Sequence, residues 1–216
     1  MEITDITLSG ALPSVFRGDS PVPSEVWRTQ ITFTRGERYI IAAESGTGKS
    51  SLCAYIFGAR RDYEGTISFN GTDIRSFSIP EWQEIRRSSI AYLPQELGLF
   101  PELTAMENIA LKNDLTRCFE RKKIESLLER FGIATRRDFP VGRMSVGQQQ
   151  RVGIIRALCQ PFSFILLDEP VSHLDEANNR IAAEVIGEEA AARGAAIIST
   201  SVGNHLLISG AKTVNL

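Results

Sequence analysis

Between residues 39 and 57 the sequence passes from an apolar, strand-like run, Tyr39-Ile40-Ile41-Ala42, to a helical one, Ser51 to Phe57. The connection is Ala43-Glu44-Ser45-Gly46-Thr47-Gly48-Lys49-Ser50. A strand that turns sharply into a helix leaves the helix's first N–H groups without intrahelical partners and aims the positive end of its dipole outward. Glycines let such a backbone wrap closely around an anion, so the free N–H groups can hold phosphate oxygens. Lys49 is then placed to reach the outer phosphates of a nucleoside triphosphate, and the Ser50 hydroxyl to ligate Mg²⁺. The pattern for this loop is G-x-x-x-x-G-K-[ST], and Ala43 stands in its first position. The plainer alternative is a Gly/Ser turn before an ordinary helix; the order of strand, loop and helix favours phosphate.

The rest of the chain alternates strand and helix signals. Glu2 to Leu8 reads as an edge strand, Ser9 to Ser24 as a Gly/Pro/Ser-rich loop carrying Phe16, and Val26 to Phe33 as a strand. Thr66 to Phe69 is a strand ending in the tight-turn dipeptide Asn70-Gly71, Pro80 to Arg87 a short helix, and Ser89 to Leu93 a buried strand ending at Pro94-Gln95. From Thr104 to Thr135 apolar residues recur at i, i+3, i+4 and i+7, with Gly132 as C-cap, and no β signal interrupts. This predicts an all-α insertion. Phe164 to Leu167 is a strand apolar at every residue, Asp175 to Arg193 a long helix capped by Gly194, and Ala195 to Ser199 and Thr213 to Asn215 two last strands. The pattern predicts an α/β fold with a mostly parallel, helix-covered sheet.

Asp168-Glu169 directly follows the Phe164–Leu167 strand, which places two carboxylates at the carboxyl edge of a central strand, where the phosphate loop must also open. Asp168 is placed to hold Mg²⁺ through water, and Glu169 to take a proton from a water attacking the γ-phosphate. Gln95 ends another buried strand, where a neutral amide can ligate Mg²⁺ or position water. Ser145-Val146-Gly147-Gln148 opens a helix and so forms a second anion-binding N-terminus, the alternative being an ordinary Ser145 cap. One ATP has one γ-phosphate, so a second such end implies a second nucleotide or one shared with another chain.

The formal charge of −2 and pI near 5.8 argue against a nucleic-acid binder with a broad basic surface. No apolar run approaches the roughly 20 residues that span a bilayer, and the acidic N-terminus does not resemble a signal peptide. A cytoplasmic chain, reaching any membrane through a partner, is expected. Cys53, Cys118 and Cys159 have no metal-ligand spacing, and neither His173 nor His205 has a second ligand nearby.

The ordered set of phosphate loop, Gln95, Ser-x-Gly-Gln followed by Gln149-Gln150-Arg151-Val152, Leu166-Leu167-Asp168-Glu169-Pro170 and Ser172-His173-Leu174-Asp175 resembles the nucleotide-binding domain of ATP-binding cassette (ABC) transporters over nearly the whole chain. Gln148 to Val152, Asp19 to Ser24 and Glu102 to Asn108 look most like the branch serving lipoprotein release, macrolide export and cell-division complexes. The resemblance implies a P-loop NTPase core with an antiparallel β edge subdomain (about 1–93 and 160–216) and a helical subdomain (about 94–159). It implies a head-to-tail dimer holding two ATPs with Mg²⁺. Each site would pair Gly46 to Ser51, Gln95, Asp168 and Glu169 of one chain with Ser145, Gly147 and Gln148 of a second copy. Asp175 would couple the sites, Phe16 would stack on adenine unless it is simply tucked onto the core, and a membrane-spanning permease would contact the Gln95 segment and the helical insertion.

Three residues depart from the family pattern. Ala43 replaces a glycine at little cost if its φ is negative. Val146 replaces another and adds branched bulk. Ser201 stands where the switch histidine belongs, with neither its charge nor its reach, and His205 lies four residues away. ATP binding and dimerisation with slow hydrolysis is the expectation. The competing readings are a subunit that closes on ATP but scarcely hydrolyses it, a soluble ABC ATPase acting on nucleic acid, and a P-loop small-molecule kinase, which leaves Ser145 to Gln148 unexplained.

Overall fold

The computed structural model describes residues 1–18 and 23–216. The part of the Ser9–Ser24 stretch at 19–22 lies outside the described residues. In chain order, β1 (Asp5–Pro13), β2 (Gln30–Thr34), β3 (Arg38–Ala42), α1 (Lys49–Ile56), β4 (Tyr63–Phe69), β5 (Thr72–Asp73), α2 (Ile79–Ser88) and β6 (Ile90–Leu93) form the first half. The second half is α3 (Ala105–Asn113), α4 (Arg121–Arg130), α5 (Val146–Leu158), β7 (Phe164–Asp168), α6 (Glu176–Ala192), β8 (Ala196–Ser201) and β9 (Lys212–Asn215). Two sheets result: a parallel one in the order β6-β7-β8-β3-β9 and an antiparallel one in the order β2-β1-β4-β5.

Apart from its edge strand β9, the parallel sheet is covered on both faces, which explains why β6 and β7 read as apolar runs; β9, Lys212-Thr213-Val214-Asn215, is largely exposed. Along β7, Phe164 and Leu166 join a core with α1, α2 and the antiparallel sheet, including Leu52, Tyr55, Ile6 and Phe69. Ile165 and Leu167 point the other way, into a core built from α5, α6 and the helical insertion, including Ile155, Ile186 and Leu127. The two-residue period of a strand thus distributes one continuous apolar run between two cores.

Four expectations change. β1 is not an edge strand but lies between β2 and β4, and it continues to Pro13. Its register with β4 shifts between Ser9 and Leu12, where Gly10 has φ +61°. Ser9-Gly10 therefore marks a bulge rather than a strand end. The strand expected from Val26 begins only at Gln30. Val26 and Trp27 are buried in a turn, with both N–H groups donating to Ser24 Oγ at 3.1 and 2.8 Å. The insertion holds no strand among its described residues, but its helical run is broken between α3 and α4. There Arg117 has φ +51°, and the Asn113 amide closes the turn onto Phe119 N and O at 2.9 and 3.0 Å. Finally, β8 runs two residues past Ser199, so Ser201 is its last residue instead of following it.

Candidate functional site

The carboxyl edge of the parallel sheet collects the candidate residues. Register fixes their order across it: Leu93 of β6 lies opposite Leu167 of β7, Asp168 opposite Thr200 of β8, and Ser201 opposite Ala42 of β3. Gln95, Asp168-Glu169, Ser201 and the loop from Ala43 therefore emerge from adjacent strands, with α1 packed against β7 and β8.

The α1 N-terminus is open. Gly48 is its N-cap at φ +98°, ψ +19°, and no side chain caps the helix. Gly46 is also left-handed, at φ +86°, whereas Ala43 is not among the residues of positive φ. The Ala43 replacement therefore introduces none of the strain that the loop's left-handed glycines would suffer as alanine. Lys49 is buried and its Nζ donates to the Glu44 carbonyl at 2.6 Å, as does Thr47 Oγ1 at 2.9 Å. Ser45 and Ser50 are exposed; the Ser51 hydroxyl accepts from Arg60 Nη1 at 3.0 Å.

An aromatic wall backs this loop. Trp27 Nε1 donates to Thr47 O at 2.9 Å. A Cβ on Gly48 would stand 3.2 Å from both Phe16 Cε2 and Trp27 Cζ2. Phe16, half-buried and packed on the core, thus borders the phosphate loop. Trp27 escaped the sequence reading because it looked like an ordinary strand residue.

Asp168 is 2% exposed, and Thr200 Oγ1 donates to its Oδ1 at 2.7 Å. The same hydroxyl accepts from Glu169 N at 3.3 Å. Burial, reinforced by the Asp168 carboxylate, pushes the Cys53 thiol and the Tyr92 phenol well up. Glu169 is half-buried and left-handed, at φ +51°, a conformation costing roughly 1–2 kcal/mol in a non-glycine residue. Thr200 was not singled out by sequence, since a threonine at a strand end carries no signal of its own.

Ser145 caps α5, with Gln148 N donating to Ser145 Oγ at 3.3 Å and Ser145 N donating to Gln148 Oε1 at 3.0 Å. This reciprocal box occupies one α5 donor and leaves the N–H groups of Val146 and Gly147, at an exposed helix end. Among the described residues no hydrogen bond joins Ser145–Gln148 to the Ala43–Ser51 loop. A Cβ on Gly147 would lie 2.9 Å from His173 O, so α5 presses against the turn that follows Glu169. Asp175 caps α6; hydrogen bonds from the Asn178 backbone and side chain hold its carboxyl below the usual range. Ser201 is buried and lines one cleft with Ala43 and the exposed His205.

Comparison with known proteins gives a consistent picture. The family profile described as "ABC transporter" matches residues 27–172. The ABC transporter ATP-binding protein YtrE of Bacillus subtilis is 35% identical over 167 residues, 76% of this chain and 72% of that protein. The lipoprotein-releasing system ATP-binding protein LolD of Shewanella denitrificans is 28% identical over 219 residues, 99% of this chain and 93% of its own length. Some other relatives are matched over 43% or less of their length. Among solved structures, a dimeric bacterial ABC transporter cassette superimposes with a TM-score of 0.77 at 25% identity, covering 91% of this chain and 87% of that one.

Proposed function

The chain belongs to the ABC transporter family, and from that premise we propose that it is the ATP-hydrolysing subunit of a complex in which closure of two such chains moves a membrane-spanning permease. The observation that carries this is the uncapped α1 N-terminus at the sheet edge where Asp168 and Glu169 emerge. Lys49 and the free N–H groups from Gly46 to Ser51 bind the β- and γ-phosphates. Phe16 stacks on the adenine. Mg²⁺ fits the donor set: Ser50 offers an exposed hydroxyl, Gln95 a carbonyl, and Asp168 a carboxylate whose Oδ2 has no hydrogen bond among the described residues. When bound, the cation neutralises charge on the phosphates. Glu169 takes the proton of the attacking water, a role worth roughly 10²- to 10⁴-fold in rate, and Gln95 orients that water.

Ser145, Val146, Gly147 and Gln148 of a second copy complete each site, and Asp175 couples the two. The dimeric form of a solved relative supports this arrangement. Residues of about 94–159 form the helical unit that meets the permease, and about 1–93 and 160–216 the catalytic core. The permease holds the chain at the inner face of the cell membrane. Among the described residues no helix is long and apolar enough to cross one.

Turnover is slow in this reading, because Ser201 ends β8 where the family's histidine would carry charge. That placement also favours a second reading, a subunit that closes on ATP with little hydrolysis. Steady-state turnover with Lys49→Ala as the blank, together with sizing of Glu169→Gln in Mg²⁺ and ATP, tests both. An ATP-bound dimer trapped by Glu169→Gln and absent in wild type supports hydrolysis. Equal dimer in both, with wild-type turnover at the Lys49→Ala level, supports the second reading. Failure of wild type to bind a fluorescent ATP analogue in Mg²⁺ overturns both.

A further inference from the structure

Of the three glutamines Gln148, Gln149 and Gln150, only Gln150 is turned fully inward, at 3% exposed. Its amide reaches from the second turn of α5 to the turn after β7. Nε2 donates to the carbonyl of Glu169 at 3.0 Å and to Ser172 Oγ at 3.3 Å, and Oε1 accepts from His173 N at 3.0 Å. The partners dictate the amide's orientation, because a carbonyl can only accept and a backbone N–H can only donate. Glu169 itself sits at φ +51°, a conformation that persists only where the surroundings over-determine it. Three side chains do so. Thr200 holds its N–H from β8. Its C=O accepts from Gln150 on α5 and, at 3.2 Å, from Ser172 Oγ, which itself accepts from the Gln150 amide.

We propose that Gln150 is a positioning residue for hydrolysis, fixing the left-handed backbone of Glu169 and thereby the direction in which its carboxylate points. The inference rests on Glu169 acting as the general base. The Gln150 amide is buried against protein and acts through the Glu169 and His173 peptide groups. It also ties the helix that begins at Ser145 to the turn carrying Glu169, so a shift of that helix is felt at the base.

The test uses the full-length chain with two substitutions. Gln150→Met keeps the length and bulk but can make none of the three hydrogen bonds. Gln150→Glu keeps the acceptor for His173 N and, while ionised, sets a carboxylate against the Glu169 carbonyl. Protonated, it regains a donor toward that carbonyl, and burial raises the pH at which this happens. Measured at each pH as a ratio to wild type, at a temperature well below each melting midpoint, Gln150→Glu is expected to lose about tenfold or more in kcat at pH 8 and to recover toward pH 6. KM and the affinity for a fluorescent ATP analogue stay within about twofold, and Gln150→Met loses kcat at every pH without recovery. A kcat ratio within about twofold at pH 8, a pH-independent ratio, or a matching loss of nucleotide affinity overturns the proposal. So does misfolding of both variants at every pH, which would make Gln150 a folding residue. Absence of wild-type turnover above the Lys49→Ala blank overturns the hydrolytic reading and this inference with it; wild-type turnover with indifferent variants overturns this inference alone.

Discussion

Thr200 Oγ1 donates to Asp168 Oδ1 at 2.7 Å across adjacent parallel strands, and with its lone pair accepts from Glu169 N at 3.3 Å. One buried hydroxyl therefore contacts both consecutive acidic residues, Asp168 through one carboxylate oxygen and Glu169 through its backbone N–H. Asp168 is almost wholly buried, so its carboxylate depends on such donors for what water would otherwise supply. Thr200→Val keeps the shape and removes the hydroxyl, leaving a buried acceptor and a backbone donor unmatched. The expected cost is about 1–3 kcal/mol in a urea melt, with Thr200→Ser close to wild type. Equal midpoints for Val and wild type would show that water replaces the hydroxyl.

Glu189 ties α4 to α6 at low exposure. It receives Lys123 Nζ and Arg193 Nη1, both at 2.6 Å. Burial works to raise its pKa, but these hydrogen bonds and charges prevail and the carboxyl is held below the usual range. A depressed folded-state pKa contributes stability above the unfolded value of about 4.3 and loses it as pH falls through the folded one. Acid melts of wild type and Glu189→Gln are expected to differ at pH 7 and to converge as pH drops below about 4. A constant gap down to pH 2.5 would mean that the pair contributes through packing and not through charge.

Ser201→His tests the proposed cause of slow turnover. Ser201 lies opposite Ala42, the residue that leads into the phosphate loop, and it borders a cleft rather than solid core. An imidazole there has room to extend and adds a cation that serine cannot supply. A rise in kcat on the order of tenfold, within the range of general acid–base effects, is expected in the isolated chain and with a permease bound. No gain in either setting would remove Ser201 as the limiting feature.

Most of the parallel sheet could be read from sequence because residues 39–42, 90–93, 164–167 and 196–198 are apolar throughout, as strands buried on both faces must be. The candidate site followed, since Lys49 opens α1 directly after a glycine-marked loop, and Asp168 and Glu169 come where the β7 sequence changes from apolar to acidic. Residues that act through backbone groups stayed hidden. Asn108, fully buried, binds Phe100 N and the carbonyls of Phe100, Leu103 and Thr104 at 2.8–3.2 Å, yet in sequence it is one asparagine on a helix. Thr200 and Gln150 were obscure for the same reason, because their partners lie 19 to 32 residues away. The β1 bulge was missed because Gly10 signals a break locally, and only pairing with β4 shows that the strand resumes.

Gly147 makes the last case, in which two backbone effects oppose each other. It lies in the first turn of α5, where alanine would raise helix propensity by up to about 1 kcal/mol. The new Cβ would also stand 2.9 Å from the carbonyl oxygen of His173, and that partner is backbone, which cannot swing aside as a side-chain tip can. Either α5 or the turn after Glu169 must move. Because Gln150 fastens the two together one turn further on, the shift cannot be absorbed by simple separation. Gly147→Ala is therefore expected to fold with a melting temperature near wild type, and to lose ATP-dependent dimerisation when placed in a Glu169→Gln background. Sizing in Mg²⁺ and ATP reads this directly. A full yield of dimer would show that the α5 end tolerates a methyl group and that its approach to His173 has no part in forming the shared site.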